Sequence, residues 1–184
     1  MAAIKGTVLL DSISAIKSRA GEAELARIVN QLSPAARVSF EKPIQLSNWY
    51  PLDIFVEFLE VDIRETAGGN RETLTARSEK VIEAQLRGIY KIFIKLGSPG
   101  FVITRIAAVH ATYFKDVQII PEVQDRSATI KYIGFEKHHD IMEYAILGFF
   151  RKALEISGAE HVSLKFSVPI SQGSAFSELT ITWV

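Results

Sequence analysis

Hydrophobic residues recur every three or four positions over residues 1–114, which predicts a series of helices that each bury one face. Gly21 separates the first two predicted helices, and the second ends before Pro34, because proline cannot continue the backbone hydrogen-bond ladder. No clear period is present over 35–46, where we expect a loop or a short irregular helix. The predicted hydrophobic faces begin and end at Leu9 and Ile16, Leu25 and Leu32, Ile54 and Ile63, Val81 and Leu96, and Phe101 and Tyr113.

The period changes to two after Phe114. Residues 117–123 and 128–134 predict a hairpin, and strict alternation over 162–168 and 179–183 predicts two further strands. A helix from Asp140 to Gly158 is predicted between the two strand pairs. We therefore predict an α+β fold in which N-terminal helices (about 1–114) precede a ββαββ part (about 115–184), whose four-stranded antiparallel sheet packs against helices. One domain over 1–184 is expected, since no linker or repeat interrupts the pattern.

Charge and cysteine content argue against several classes of partner and of chemical group. The 184 residues contain 21 Lys and Arg against 21 Asp and Glu, a balance that argues against nucleic acid as a partner. The absence of cysteine excludes disulfides, iron–sulfur clusters and cysteine nucleophiles. No apolar stretch is long enough for a membrane span, and the first residues lack a secretory signal, so a cytoplasmic location is expected.

Catalytic signatures are missing from the sequence. It has no Gly-x-Ser-x-Gly elbow and no glycine-rich loop before a helix that could hold a phosphate. The Gln172-Gly173-Ser174 segment is best explained as a hairpin turn. We therefore expect no catalytic residues and a protein that is not an enzyme.

Four short motifs follow one another along nearly the whole chain: Ile4-Lys5-Gly6, Trp49-Tyr50-Pro51-Leu52, Gly97-Ser98-Pro99 and Leu179-Thr180-Ile181-Thr182-Trp183. In order and spacing they resemble the superfamily of haem-binding H-NOX sensors, Bet-type TRAPP transport subunits and vinyl-reductase-type ligand-binding domains. The chain looks most like a bacterial family found in myxobacteria and other deltaproteobacteria. The resemblance implies an H-NOX/TRAPP-like fold and a non-enzymatic ligand-binding or protein-interaction module of a bacterial signalling system.

The H-NOX resemblance places the axial haem ligand at His110. This implies an alternative function, a haem-based gas sensor, although a helical histidine among apolar neighbours is more often a structural residue. H-NOX proteins hold the haem propionates with Tyr-x-Ser-x-Arg. The matching stretch here keeps Tyr132 but has Gly134 for serine and Glu136 for arginine, and a carboxylate would repel a propionate. We therefore expect no cofactor, with haem possible but disfavoured.

A second alternative is an enzyme with a loop metal site. His139 and Glu143 would share one helix face and could supply an imidazole and a carboxylate to a divalent ion. The spacing matches no established metal signature. A solvated loop in which Asp140 caps the next helix explains the same residues, and no metal ligand is assigned.

Aromatic residues are numerous in the helical part, where they could line a cavity for a small apolar ligand or simply pack the core. They are Trp49, Tyr50, Phe55, Phe58, Tyr90, Phe93, Phe101, Tyr113 and Phe114. Broad apolar faces over 50–66 and 71–96 further suggest a homodimer, or another protein partner, bound through helices. The residues proposed for that interface are Ile54, Phe58, Ile89 and Phe93.

Overall fold

The chain folds as an α+β protein with antiparallel sheets, as the sequence predicts. The computed structural model describes residues 1–86 and 98–184. Part of the helix predicted over 71–96 lies outside these residues, and so do Ile89, Tyr90 and Phe93 of the predicted interface and cavity.

Contacts divide the chain into two compact units. Unit 1 contains Met1–Arg71 and Thr112–Asp116, and unit 2 contains Glu72–Ala111 and Val117–Val184. The single domain over 1–184 stays a prediction.

Unit 1 contains a small sheet that the sequence pattern did not predict. Its middle strand, β1 (Ala3–Lys5), pairs antiparallel with β2 (Trp49–Pro51) and with β3 (Phe114–Lys115). Strands of two or three residues are too short to show a period of two, so only their pairing reveals them. The segment Trp49-Tyr50-Pro51 forms β2, and the helix that follows starts at Leu52.

The helices of unit 1 begin and end close to the predicted positions. They are α1 (Gly6–Asn30), α2 (Pro34–Arg37) and α3 (Leu52–Ala67), with a 3₁₀ turn at Val38–Phe40. Gly21 breaks the helical path of α1 with φ 85° and ψ 174°, a conformation that glycine adopts at little cost. The break at Gly21 is therefore confirmed.

The core of unit 1 includes Phe58, one of the residues assigned to a homodimer face. Phe58 is fully buried and its ring stacks on Phe40 at 5.2 Å between centroids. A side chain that the chain itself covers cannot form a dimer surface, so this part of the predicted interface is wrong. Trp49 and Phe101 are exposed, which removes both from the predicted cavity lining.

An ion pair joins α1 to α3 in the interior of unit 1. Arg19 Nη2 lies 2.7 Å from Asp62 Oδ1, and the Asp62 side chain is only 5% exposed. Thr66 Oγ1 donates a second hydrogen bond to the same carboxylate oxygen at 3.0 Å. Because a buried carboxylate is costly without such partners, these two donors make Asp62 tolerable in the core.

Unit 2 contains the predicted ββαββ part. The sheet has the order β4 (Gln118–Val123), β5 (Ser127–Ile133), β7 (Ser177–Thr182), β6 (Ser163–Val168), with antiparallel pairing throughout. Its helices are α4 (Glu72–Leu86), α5 (Pro99–Tyr113, of which the last two residues belong to unit 1) and α6 (Met142–Ser157). Short 3₁₀ turns lie at Lys137–His139 and Ile170–Gln172.

The two central strands bury alternate residues. Ile130 pairs with Leu179 and Tyr132 pairs with Ser177, and all four side chains are buried. The period of two in the sequence thus places one face of the sheet in the core, which confirms the predicted antiparallel sheet.

Among the helices in the described part of the chain, none combines the length and the apolar character needed to cross a membrane.

We expect Asp62→Ala to lower the free energy of unfolding by about 1–3 kcal/mol, because it leaves a partly buried Arg19 without its carboxylate. Urea denaturation of the purified protein measures the change. Arg64→Ala is the control, since Arg64 pairs with Glu65 at 3.2 Å but is 56% exposed; this change should stay within about 0.5 kcal/mol. Equal effects of the two substitutions would contradict a stabilising role of the buried pair.

Candidate functional site

His110 lies near the end of α5 with its side chain directed into the core of unit 2, and it is 6% exposed. The residues that share its buried face are Val102, Ile103, Ile106 and Ala107. Because these positions recur at three and four, the same period that predicts α5 also turns His110 inward. The sequence did not show whether His110 is buried or exposed, and the structure shows that it is buried.

Two consecutive phenylalanines of α6 surround the His110 ring. The centroid of Phe149 lies 4.2 Å from that of the imidazole with an interplanar angle of 49°, and Phe150 meets the ring edge-on at 5.4 Å and 81°. Such contacts fix the orientation of a ring by packing. Sequence reasoning missed both residues as site residues, because each fits the apolar face of α6 and nothing local links them to His110.

Burial controls the protonation state of His110. Removal from water disfavours the charged imidazolium and lowers the pKa of His110 to about 4. The ring is therefore neutral at pH 7, and a neutral imidazole has a nitrogen lone pair that can bind a metal ion.

Tyr132, in the middle of β5, is fully buried. Its ring packs near Phe135 at 5.6 Å and Phe166 at 6.3 Å between centroids. Within the described residues its hydroxyl has no hydrogen-bond partner, and burial raises the pKa of Tyr132 above its usual value. A buried neutral hydroxyl without a partner is unusual in a folded protein. It fits a ligand that accepts a hydrogen bond from this hydroxyl.

Glu136, which stands where the H-NOX motif has arginine, forms a local cap with His139. Glu136 and His139 satisfy each other's backbone: the Glu136 amide donates to His139 Nδ1 at 2.9 Å, and the Glu136 side chain accepts from the His139 amide. The Glu136 side chain is 65% exposed and lies 3.8 Å from His138 Nδ1. Because water screens an exposed carboxylate, the predicted repulsion of a propionate by Glu136 is weak.

His139 and Glu143, the pair considered for a metal site, have structural roles in unit 2. His139 is buried, whereas the sequence suggested a solvated loop, and its Nδ1 accepts the Glu136 amide proton. Glu143 Oε1 accepts hydrogen bonds from the amides of Ile170 at 2.6 Å and Ser171 at 3.2 Å. The Glu143 contacts join α6 to the turn after β6, and the His139 contact lies within the loop after β5.

The start of α6 also differs from the prediction. Asp140 is not its N-cap, because the helix begins at Met142 and Ile141 occupies the cap position without a side-chain hydrogen bond. The intervening 3₁₀ turn at Lys137–His139 delays the helix by two residues.

A groove on the outer face of β6 and β7 is polar and does not correspond to the predicted apolar cavity. Its lining consists of four hydroxyl side chains and one lysine. They are Ser163, Lys165, Ser167, Thr180 and Thr182.

The buried His110 generates a prediction about acid stability. Between about pH 6.5 and pH 4 the unfolded chain binds a proton at this site that the folded chain does not, so the free energy of unfolding should fall as the pH is lowered through this window. The loss should reach a few kcal/mol near the lower end. Urea denaturation at several pH values measures it, with His110→Leu as the comparison. Parallel curves for the two proteins would show that His110 is not the buried base described here.

The Tyr132 hydroxyl generates a second prediction. Tyr132→Phe should leave the free energy of unfolding of the ligand-free protein unchanged or raise it by up to about 1 kcal/mol, because an unsatisfied buried hydroxyl is removed. Tyr50→Phe is the matched control, since the Tyr50 hydroxyl accepts from the Gln45 amide at 2.9 Å; its loss should cost about 1 kcal/mol. A clear destabilisation by Tyr132→Phe in thermal or urea unfolding would contradict this description of the hydroxyl.

Comparison with known proteins gives matches at the level of structure only. The sequence matches no protein-family model and no curated protein. Solved structures do match over nearly the full length. An H-NOX protein from S. oneidensis in the Fe(II)NO ligation state has a TM-score of 0.72 at 9% identity, covering 98% of this chain and 99% of its own.

Two further structures give the same result. An Fe(II) unliganded H-NOX protein from K. algicida has a TM-score of 0.71 at 11% identity, with 98% and 97% of the two chains covered. An oxygen-binding H-NOX domain related to soluble guanylate cyclases, solved as its oxygen complex, has a TM-score of 0.67 at 14% identity, with 98% and 95% covered.

These matches correct one expectation from the sequence. The absence of a cofactor, with haem disfavoured, conflicts with a fold whose solved examples are described in Fe(II), Fe(II)NO and oxygen-bound states. The TRAPP-like and myxobacterial parts of the resemblance stay predictions. The chain has the H-NOX fold.

Proposed function

We propose that this protein is a non-enzymatic haem-binding sensor domain for a small diatomic gas, with His110 as the axial ligand. The observation that carries the proposal is a buried, neutral histidine on the helix before the sheet, in a chain with the H-NOX fold. The proposal takes up the haem-sensor alternative from the sequence in place of a ligand-binding or protein-interaction module without a cofactor.

His110 has the properties that an iron ligand requires. A protonated imidazole could not donate a lone pair, so the low pKa of His110 keeps the ligand form available over the physiological range. Its position on α5 and the packing of Phe149 and Phe150 hold the ring in one orientation. When bound, haem would supply an iron centre that can bind the gas.

Tyr132 would act as a hydrogen-bond donor to a haem carboxylate. Its hydroxyl is buried and has no partner among the described residues, and its raised pKa keeps the proton on oxygen. Donation to a carboxylate is a charge-assisted bond and stronger than one to a neutral acceptor. The haem carboxylate would thus accept a hydrogen bond from the Tyr132 hydroxyl, whose burial without a partner destabilises the ligand-free protein.

Gly134 and Glu136 would contribute less than the residues they replace. Glycine has no hydroxyl, and the Glu136 carboxylate already caps the turn at Lys137–His139. This chain would therefore hold the carboxylate side of haem with fewer side-chain donors than a Tyr-x-Ser-x-Arg motif offers. We infer a weaker grip on the propionates and a greater dependence of affinity on His110 and Tyr132.

Haem reconstitution tests the proposal. The apoprotein titrated with haemin and then reduced should develop a Soret band at a stoichiometry near one, and addition of CO or NO should shift that band. His110→Gly should lose the band, and added imidazole should restore it, because free imidazole can occupy the space of the missing ring. Tyr132→Phe should bind haem more weakly and retain its fold.

His161→Asn is the matched histidine control. His161 is exposed and has a positive φ of 49°, a conformation that asparagine tolerates, so this change should leave the Soret band unchanged. A wild-type protein that stays colourless after reconstitution would refute the proposed function. An equal loss of haem from His110→Gly and His161→Asn would refute the assignment of the ligand.

A further inference from the structure

Helix α6 approaches α4 so closely at Gly148 that no side chain fits between them. A Cβ atom at Gly148 would lie 2.2 Å from the carbonyl oxygen of Thr75 and 2.9 Å from Ser78 Cβ. Backbone atoms of α4 cannot rotate away as the tip of a long side chain would. Any residue other than glycine would therefore force the two helices apart, by about 1 Å for alanine, since carbon–oxygen contacts lie near 3.3–3.6 Å.

Polar contacts on either side of Gly148 fix the same helix pair. Thr75 is buried and its Oγ1 donates to the carbonyl of Tyr144 at 3.1 Å. One turn further along, Arg151 Nη1 lies 3.0 Å from Glu79 Oε1. The close approach at Gly148 is thus held from both ends, and α6 has little freedom to slide along α4.

The two residues after Gly148 are Phe149 and Phe150, whose rings contact His110. A displacement of α6 would carry both rings with it. Phe149 would be affected first, because its ring is the nearer of the two, at 4.2 Å from the imidazole centroid.

We propose that Gly148 is a positioning residue for His110: it permits the close contact of α6 with α4 that sets where Phe149 and Phe150 pack against the imidazole ring. Through this contact Gly148 would determine the orientation of the axial ligand and hence the strength of its bond to iron. The effect on the iron bond rests on the proposed function, whereas the effect on the imidazole ring does not.

Two variants test the proposal at different points. Gly148→Ala separates the helices, and Phe149→Leu removes the ring while the helix contact stays intact. Phe149→Tyr keeps the aromatic ring at this half-buried position. Phe176→Leu, a partly exposed phenylalanine packed near Lys131, is the control for loss of a ring elsewhere.

The first measurement uses the protein without haem. The ring proton resonances of His110, assigned by their loss in His110→Leu, should shift in Gly148→Ala and in Phe149→Leu, because the ring current of Phe149 moves or disappears. They should stay at the wild-type position in Phe149→Tyr and Phe176→Leu. If Gly148→Ala does not fold, Phe149→Leu and Phe149→Tyr still decide whether the Phe149 ring sets the environment of His110.

The second measurement uses the reduced, haem-loaded protein. Resonance Raman spectroscopy should show the iron–histidine vibration of Gly148→Ala and Phe149→Leu shifted from the wild-type frequency, and haem dissociation should be faster in both. Phe149→Tyr should retain the wild-type frequency, because the ring is still present. If the substitutions acted only by loosening the structure, the iron–histidine vibration would not have to distinguish tyrosine from leucine at this position.

The outcomes separate this inference from the proposed function. If haem binds through His110 but neither its resonances nor the iron–histidine vibration change in Gly148→Ala and Phe149→Leu, the positioning role is refuted and the proposed function survives. If no haem binds but the resonances shift as expected, the proposed function fails and the positioning of His110 by Gly148 stands.

Discussion

The distance between α4 and α6 at Gly148 decides where α6 lies, and α6 in turn carries the aromatic rings that enclose His110. The polar contacts between α4 and α6 on either side of Gly148 depend on this distance between the helices. The Thr75 hydroxyl reaches the Tyr144 carbonyl, and Arg151 reaches Glu79, only because no side chain separates the helices at this level. A single missing Cβ atom therefore supports a network that extends over about two turns of α6 and one turn of α4.

Unit 2 buries two polar side chains whose environments oppose ionisation. Burial keeps His110 neutral and Tyr132 protonated, so one presents a nitrogen lone pair and the other a hydroxyl proton. Both conditions cost stability in the ligand-free protein, since a polar group taken from water must find a partner or remain unsatisfied. A fold that tolerates such costs in its core often has a function for them, and haem would accept a hydrogen bond from the Tyr132 hydroxyl, which has no partner among the described residues.

The loop after β5 shows how local chemistry can replace a binding motif. Where the H-NOX pattern has serine and arginine, this chain has Gly134 and Glu136, and the latter forms a reciprocal cap with His139. Phe135, between them, packs against both Tyr132 and His139. Glu136 therefore caps the loop that follows the strand of Tyr132, and neither Gly134 nor Glu136 offers the hydroxyl or guanidinium that could hold a carboxylate directly.

Local periodicity was sufficient to predict the helices, the ββαββ order and the antiparallel sheet, because hydrophobic spacing of 3.6 or 2 depends on neighbours in sequence. It placed His110 on a helix among apolar neighbours but left open whether that side chain is buried. Periodicity could not show β1, β2 and β3, because these strands are too short. It also could not show that Phe58 packs against Phe40 of the same chain, where a homodimer interface was expected. The contacts of His110 with Phe149 and of α4 with Gly148 join residues far apart in the chain, and only the packing of whole elements brings them together. The sequence alone thus determined the type and order of most elements, because periodicity is a local property of the chain. The tertiary structure decided which side chains are buried and what each of them meets, because burial and contact depend on the complete fold.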